Sequence, residues 1–145
     1  MLSAYYRISD ITNAITCGRK LLAICRECGD TVREGKFGMA LAEVYLTQNM
    51  SAEAKELYER TNIIMREIGD RAGEALSYGS LGNMFVSLGQ YLKAKEYFEK
   101  ALAIKMEIGD RAGEASSYGK LGTVLYLLVN MPKLKNIMRN HLQSE

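Results

Sequence analysis

Three groups of residues in this chain have types and spacings that invite chemistry. The stretch "CREC" sets Cys25 and Cys28 in a Cys-x2-Cys arrangement, half of a zinc site or a dithiol redox pair. A closed zinc site needs four ligands, and the chain adds only Cys17 and its sole histidine, His141, far away in sequence. A redox pair belongs at a helix start beside a βαβ pattern, whereas this pair falls near the end of a predicted helix. One histidine removes the acid–base and triad arrangements built on a histidine with fixed partners. "GSLGNM" and "GKLGTV" resemble phosphate loops but fall mid-helix, without the preceding strand or the Gly-Lys-Ser/Thr order. The chain is expected to be neither an enzyme nor a binder of metals or cofactors.

The elements around these residues are repeats. "EIGDRAGEA" stands at 67–75 and again at 107–115, and residues 67–82 agree with 107–122 at 14 of 16 positions. A worn copy begins at "ECGD" (27–30), and 1–26 match the second half of a unit: Ala14, Ala54 and Ala94 fall in register, as do Leu22 with Leu102 and Ile24 with Ile64 and Ile104. The expected organisation is one array of about three and a half units: a partial unit 1–26, full units 27–66 and 67–106, and 107–145, degenerate after 128. In this register Cys28 aligns with Ile68 and Ile108, Cys25 with Met65 and Cys17 with Leu57, so the cysteines read as small buried hydrophobes.

Each unit reads as two helices. Leu76, Leu81, Phe85 and Leu88 recur at helical spacing, and so do Ala94, Phe98, Ala101 and Ile104. Gly29, Gly69 and Gly109 suit a left-handed helix stop. Asp30, Asp70 and Asp110 follow as N-caps, with Glu34, Glu74 and Glu114 in the next first turn. The expected helices are 11–28, 30–48, 51–68, 71–88, 91–108 and 111–128, with short ones at 2–8 and 133–143. Glycine inside a helix costs about 1 kcal/mol relative to alanine, so Gly73, Gly113, Gly79, Gly119, Gly82 and Gly122 predict close helix approach. Gly82 is expected to face Ala94.

Composition agrees. The chain has 145 residues with one proline, is 48% apolar and carries a net charge of +2, which suits a helical array and gives no reason to expect nucleic acid. No basic stretch followed by an apolar run opens the sequence, and "LGTVLYLLVNM" is about half the length that crosses a bilayer, so no membrane partner is expected. The odd number of cysteines predicts a reducing cytoplasm.

The order Tyr78-x2-Leu81-Gly82-x2-Phe85 followed by Ala94-x3-Phe98-x2-Ala101 resembles the tetratricopeptide repeat. The 40-residue period and "GDRA…YG.LG" look like the long units of Partner-of-Inscuteable-like adaptors. The resemblance implies an all-α, right-handed superhelical array of antiparallel helix pairs, an α-solenoid, whose concave groove holds a protein or peptide ligand. Carried over by position, the groove residues are Lys36, Met39, Ala40, Glu43 and Thr47, then Leu76, Gly79, Ser80, Asn83 and Ser87, then Ser116, Gly119, Lys120, Thr123 and Leu127, with Arg7 in the partial unit. The alternative for each is a solvated polar residue. Chaperone-binding relatives hold a terminal carboxylate with a basic and asparagine cluster; only Asn83 and Lys120 match it, from different units, so such a clamp is not expected.

Beyond Leu128 the pattern breaks. Val129 replaces Gly89, Leu134 replaces Ala94 and His141 replaces Ala101, and neither end has the polar face of a capping repeat. Ile137, Met138 and Leu142 predict an uncovered apolar face, as do Tyr5 and Leu22 at the other end. A self-associating structural module, closing as a homodimer through these ends, is the second functional expectation.

Overall fold

The structure, a computed structural model, describes the backbone of residues 2–144 and the side chains of 7–143 except 134, 135 and 138. Six helices follow one another: α1 (Leu2–Cys28), α2 (Thr31–Thr47), α3 (Ser51–Glu67), α4 (Arg71–Ser87), α5 (Tyr91–Glu107) and α6 (Arg111–Ser144). No strand occurs among the described residues. Each helix packs mainly on its neighbours in sequence, so the chain is an all-α array of stacked helix pairs.

The repeated joint works as a stop and a start. Gly29, Gly69 and Gly109 take φ of +73°, +76° and +73°. At Gly69 the next amide, of Asp70, donates to the Met65 carbonyl at 2.9 Å while that of Gly69 donates to Arg66 at 3.2 Å, a Schellman closure of α3. Asp70 then caps α4, accepting from the Gly73 amide at 2.9 Å, and Asp110 accepts likewise from Gly113 at 2.9 Å. Between these joints, Ala42, Ala54 and Ala94 are wholly buried, and the core runs through Leu22, Tyr45, Tyr58, Leu81, Phe85, Phe98 and Val124.

Several expectations need correction. The Cβ that Gly82 lacks would meet the Phe98 ring first, so Phe98 fills the space beside Gly82, a neighbour the repeat pattern alone did not single out. Gly73 has the expected close approach, since a Cβ there would stand only 2.6 Å from the Met65 sulphur, but nothing lies within 4 Å of a Cβ at Gly79, Gly119 or Gly122. Cys25 is buried, whereas Cys17 and Cys28 are exposed. Their aligned counterparts explain this: Leu57 and Tyr97 are only partly covered, and Ile68 and Ile108 are themselves exposed.

The terminal segments are not separate short helices. α1 and α6 run unbroken for 27 and 34 residues. The turn inside a full unit uses Gly89 (φ +74°) or Asn49 (φ +60°). The aligned positions are Ser9 and Val129, and neither supplies a residue at ease in the left-handed region. With no stop, each helix reads through. Leu22, expected in an uncovered apolar face, is instead buried in the core, because α2 packs over it; Tyr5 and the side chain of Met138 lie outside the described side chains.

Candidate peptide-binding face

The first helices of successive units, α2, α4 and α6, line one side of the array, and two cavities open there. One, of about 200 Å³, is lined from α4 by Leu76, Gly79, Ser80 and Asn83, from α6 by Ser116 and Lys120, and from α5 by Phe98, Ala101 and Lys105. The other, of about 470 Å³, is lined by Lys36 and Met39 of α2, Met65 of α3, and Gly73 and Leu76 of α4, again with Lys105. Leu76 and Lys105 border both, so the cavities adjoin. The bare Gly79 position keeps the first one open: the missing Cβ faces empty space.

Among the expected site residues, Ser80, Asn83 and Lys120 share the smaller cavity and Lys36 borders the larger. Asn83 and Lys120 therefore come together although they belong to different units. Glu43, Ser87, Thr123 and Arg7 are exposed and border neither cavity. The hydroxyls of Ser87 and Thr123 donate back to their own helices, to the Asn83 carbonyl at 3.2 Å and the Gly119 carbonyl at 3.1 Å. Arg7 lies in the N-terminal, read-through part of α1.

Sequence reasoning missed Lys105, because only first helices were assigned to the groove. A signal was present: Lys105 aligns with Met65 and Cys25, which are both buried, so a cation replaces an apolar residue. Its ammonium lies 3.1 Å from Asp110 Oδ2. The Gly113 amide, first, and Lys105, second, hold the Asp110 carboxyl below its ordinary range. The Lys120 ammonium lies 5.7 Å from the centre of the Phe98 ring, a cation–π distance that holds the charge over the cavity. Three lysines thus border this surface, with Asp70 at the edge of the larger cavity and Asp110 paired to Lys105.

Behind it, buried carboxylates tie helices together. Glu34 accepts from Arg26 at 2.8 Å and Arg60 at 2.5 Å, joining α1, α2 and α3. Burial alone would raise the Glu34 pKa, but the hydrogen bonds from Arg60 and Arg26 outweigh it and hold the carboxyl below its usual range. Asn62 donates to Ser77 Oγ at 2.7 Å, and Ser77 to the Glu74 carbonyl at 2.7 Å, so the polar groups buried between α3 and α4 satisfy one another. No group of three or more metal-binding side chains occurs among the described residues.

The tetratricopeptide repeat model matches residues 37–107 and 73–133. The chain belongs to the tetratricopeptide repeat family. Among solved structures it is similar to a Signal Transduction ATPase with Numerous Domains from Pyrococcus horikoshii, which has a tetratricopeptide repeat sensor. That match has 22% identity and a TM-score of 0.72, over 92% of this chain and 21% of the other. BtubC (BKLC) from P. vanneervenii matches at 19% identity and a TM-score of 0.77, over 97% and 61%. Kinesin-light-chain TPR-like repeats from Podosopora anserina match at 17% and 0.70, over 94% and 68%. These likenesses show the fold, and the chain spans less than two thirds of the first two proteins. No curated protein sequence matches it. Repeats of this family mediate protein–protein interaction, and no helix among the described residues is long and apolar enough to cross a membrane.

Proposed function

We propose that the tetratricopeptide array is a non-catalytic adaptor that holds an extended segment of a partner protein across α2, α4 and α6, with an acidic side chain of that segment between Lys105, Lys120 and Asn83. The observation that carries this reading is the cavity those three residues share with Ser80 and Ser116. At about 200 Å³ it is smaller than the roughly 300–1,000 Å³ of a small-molecule site, and suits one or two side chains of a longer ligand. Its apolar wall, Leu76, Phe98 and Ala101, accepts the stem of the same side chain. The 40-residue period supports the Partner-of-Inscuteable-like adaptor subtype, and the free thiols suit a reducing compartment such as the cytoplasm.

The test compares capture from a lysate by the wild type and by a Lys105→Gln/Lys120→Gln variant of unchanged helix content. Partners with Asp- or Glu-rich segments should be held by the first and lost from the second, and peptides from those segments should bind the wild type directly. Identical capture by both proteins would overturn the reading.

A further inference from the structure

We propose that copies of this chain stack head to tail, the 111–128 part of α6 in one copy seating against the 11–28 part of α1 in the next. The inference is independent of the peptide groove and begins with two uncovered faces. In each full unit a first helix packs on a second, α2 on α3 and α4 on α5. Residues 111–128 align with the first kind and 11–28 with the second, so the two faces are the two halves of one unit.

Both halves are open where their counterparts are covered. On α6, Tyr118 is 52% exposed and nothing lies within 4 Å of a Cβ at Gly122. The aligned residues of α4 pack on α5: the Tyr78 ring lies 6.1 Å from that of Tyr97, and Gly82 abuts Phe98. Ala115 is exposed where Ala75 is buried. On α1, Ile24 is 54% exposed, against 4% and 5% for the aligned Ile64 and Ile104, and Ala14 is exposed where Ala54 and Ala94 are wholly buried. At 3.6 residues per turn, Ala115, Tyr118, Gly122 and Leu125 fall within about 80° of one another, and so do Ala14, Cys17, Leu21 and Ile24. Each helix therefore offers a single face.

The sequence also keeps the partners that would join these faces. Arg71 of α4 donates to Glu107 of α5. The Lys100 ammonium of α5 lies 5.5 Å from the centre of the Tyr78 ring of α4. A Cβ on Gly35 of α2 would stand 3.1 Å from Ile64 Cγ2 of α3. Transposed to the new junction by whole periods, these pairs become Arg111 with Glu27, Tyr118 with Lys20, and Ala115 with Ile24 of the next copy. Opposite charges meet, a cation meets a ring, and an apolar side chain meets an apolar one, all in one antiparallel register. Gly18 stands where the other units have Tyr58 and Phe98, but Leu41 of its own copy already crowds that place, 3.0 Å from where a Cβ would be.

The two faces differ, so the contact is heterologous and does not close at two copies. Each junction continues the nearest-neighbour packing of the array itself. The read-through of the terminal helices places nothing in the way. α1 and α6 both run past the turn position, at Ser9 and Val129, on the same edge of the array, and in the stacked pair they extend side by side.

Sedimentation of this chain over a hundredfold concentration range tests the stacking. The wild type should grow in mass with concentration, beyond a dimer. Ile24→Asp and Tyr118→Asp each spoil one exposed face and should be monomeric alone. Mixed in equal amounts they should form a dimer and nothing larger, because each keeps one sound face. Arg111→Glu should weaken stacking at least tenfold and Arg111→Glu/Glu27→Arg should restore it, which decides the matter if an aspartate variant does not fold. A wild-type monomer throughout, a mass that stops at a dimer, folded aspartate variants that stay monomeric when mixed, or a charge swap without recovery would each overturn the proposal. The Lys105→Gln/Lys120→Gln variant should stack like the wild type, which separates this outcome from that of the groove.

Discussion

The Phe98 ring occupies the space that a side chain on Gly82 would need: a Cβ there would stand 2.5 Å from Cε1. An aromatic ring in a close-packed core cannot yield that distance without moving its neighbours. Three residues earlier on the same helix, Gly79 has nothing within 4 Å. The two glycines should therefore respond oppositely to the same methyl group. Gly82→Ala should destabilise by about 1–3 kcal/mol through overpacking. Gly79→Ala should stabilise by up to about 1 kcal/mol, as alanine replaces glycine inside a helix, while narrowing the smaller cavity. Thermal unfolding of both variants is the measurement, and equal destabilisation would contradict the packing described here.

A second prediction concerns acid. Because the folded pKa of Glu34 lies below its ordinary 4.5, the carboxylate contributes stability that is fully present above that value. This contribution is lost as the pH falls through the depressed folded value. Glu34→Gln should cost about 1–2 kcal/mol at pH 7, less than is usual for charged hydrogen bonds because Arg26 and Arg60 are about half exposed. The gap between wild-type and variant melting temperatures should close on acidification below pH 4.5. A gap that stays constant down to pH 2 would show that the ion pairs contribute nothing.

Much of this architecture is legible in the sequence because its signals are local. Gly69 must turn left-handed and Asp70 must cap, and both act within a few residues of themselves. The identity of Gly79 or Gly119 says only that a side chain is missing, and whether a neighbour fills the space depends on helices far away in sequence. Val129 was readable as a broken pattern, but the break alone does not distinguish a new short helix from a helix that never stops. Lys105 escaped because it lies on a second helix, and only the stacking brings it beside Asn83 and Lys120.

The groove makes a third prediction, about salt. The three lysines that border the two cavities are partly or largely in solvent, so their attraction for an acidic segment should be screened over about 8–10 Å at physiological ionic strength. A peptide identified by capture should bind less tightly as salt rises from about 0.05 to about 0.5 M. Lys120→Gln should flatten that dependence. Salt-independent binding by the wild type would place the ligand's contacts on the apolar wall alone.

The last prediction uses positions 49, 89 and 129 as a natural series: asparagine and glycine turn the chain, and valine does not. Gly89 closes α4 onto α5, and the next amide, of Gln90, donates to the Phe85 carbonyl at 2.9 Å. A valine at φ +74° would carry backbone strain of about 1–3 kcal/mol. Its side chain would otherwise be free, since nothing lies within 4 Å of that Cβ, so the cost is conformational and not a clash. Gly89→Val should therefore lower the melting temperature, while Gly89→Asn should recover most of the loss because asparagine already performs this role at position 49. The two variants differ little in crowding at this open site, so the order of their melting temperatures separates backbone strain from packing. Equal melting for Gly89→Val and Gly89→Asn would show that a left-handed residue is not what ends these helices, and would remove the physical reason for the read-through of α6 at Val129.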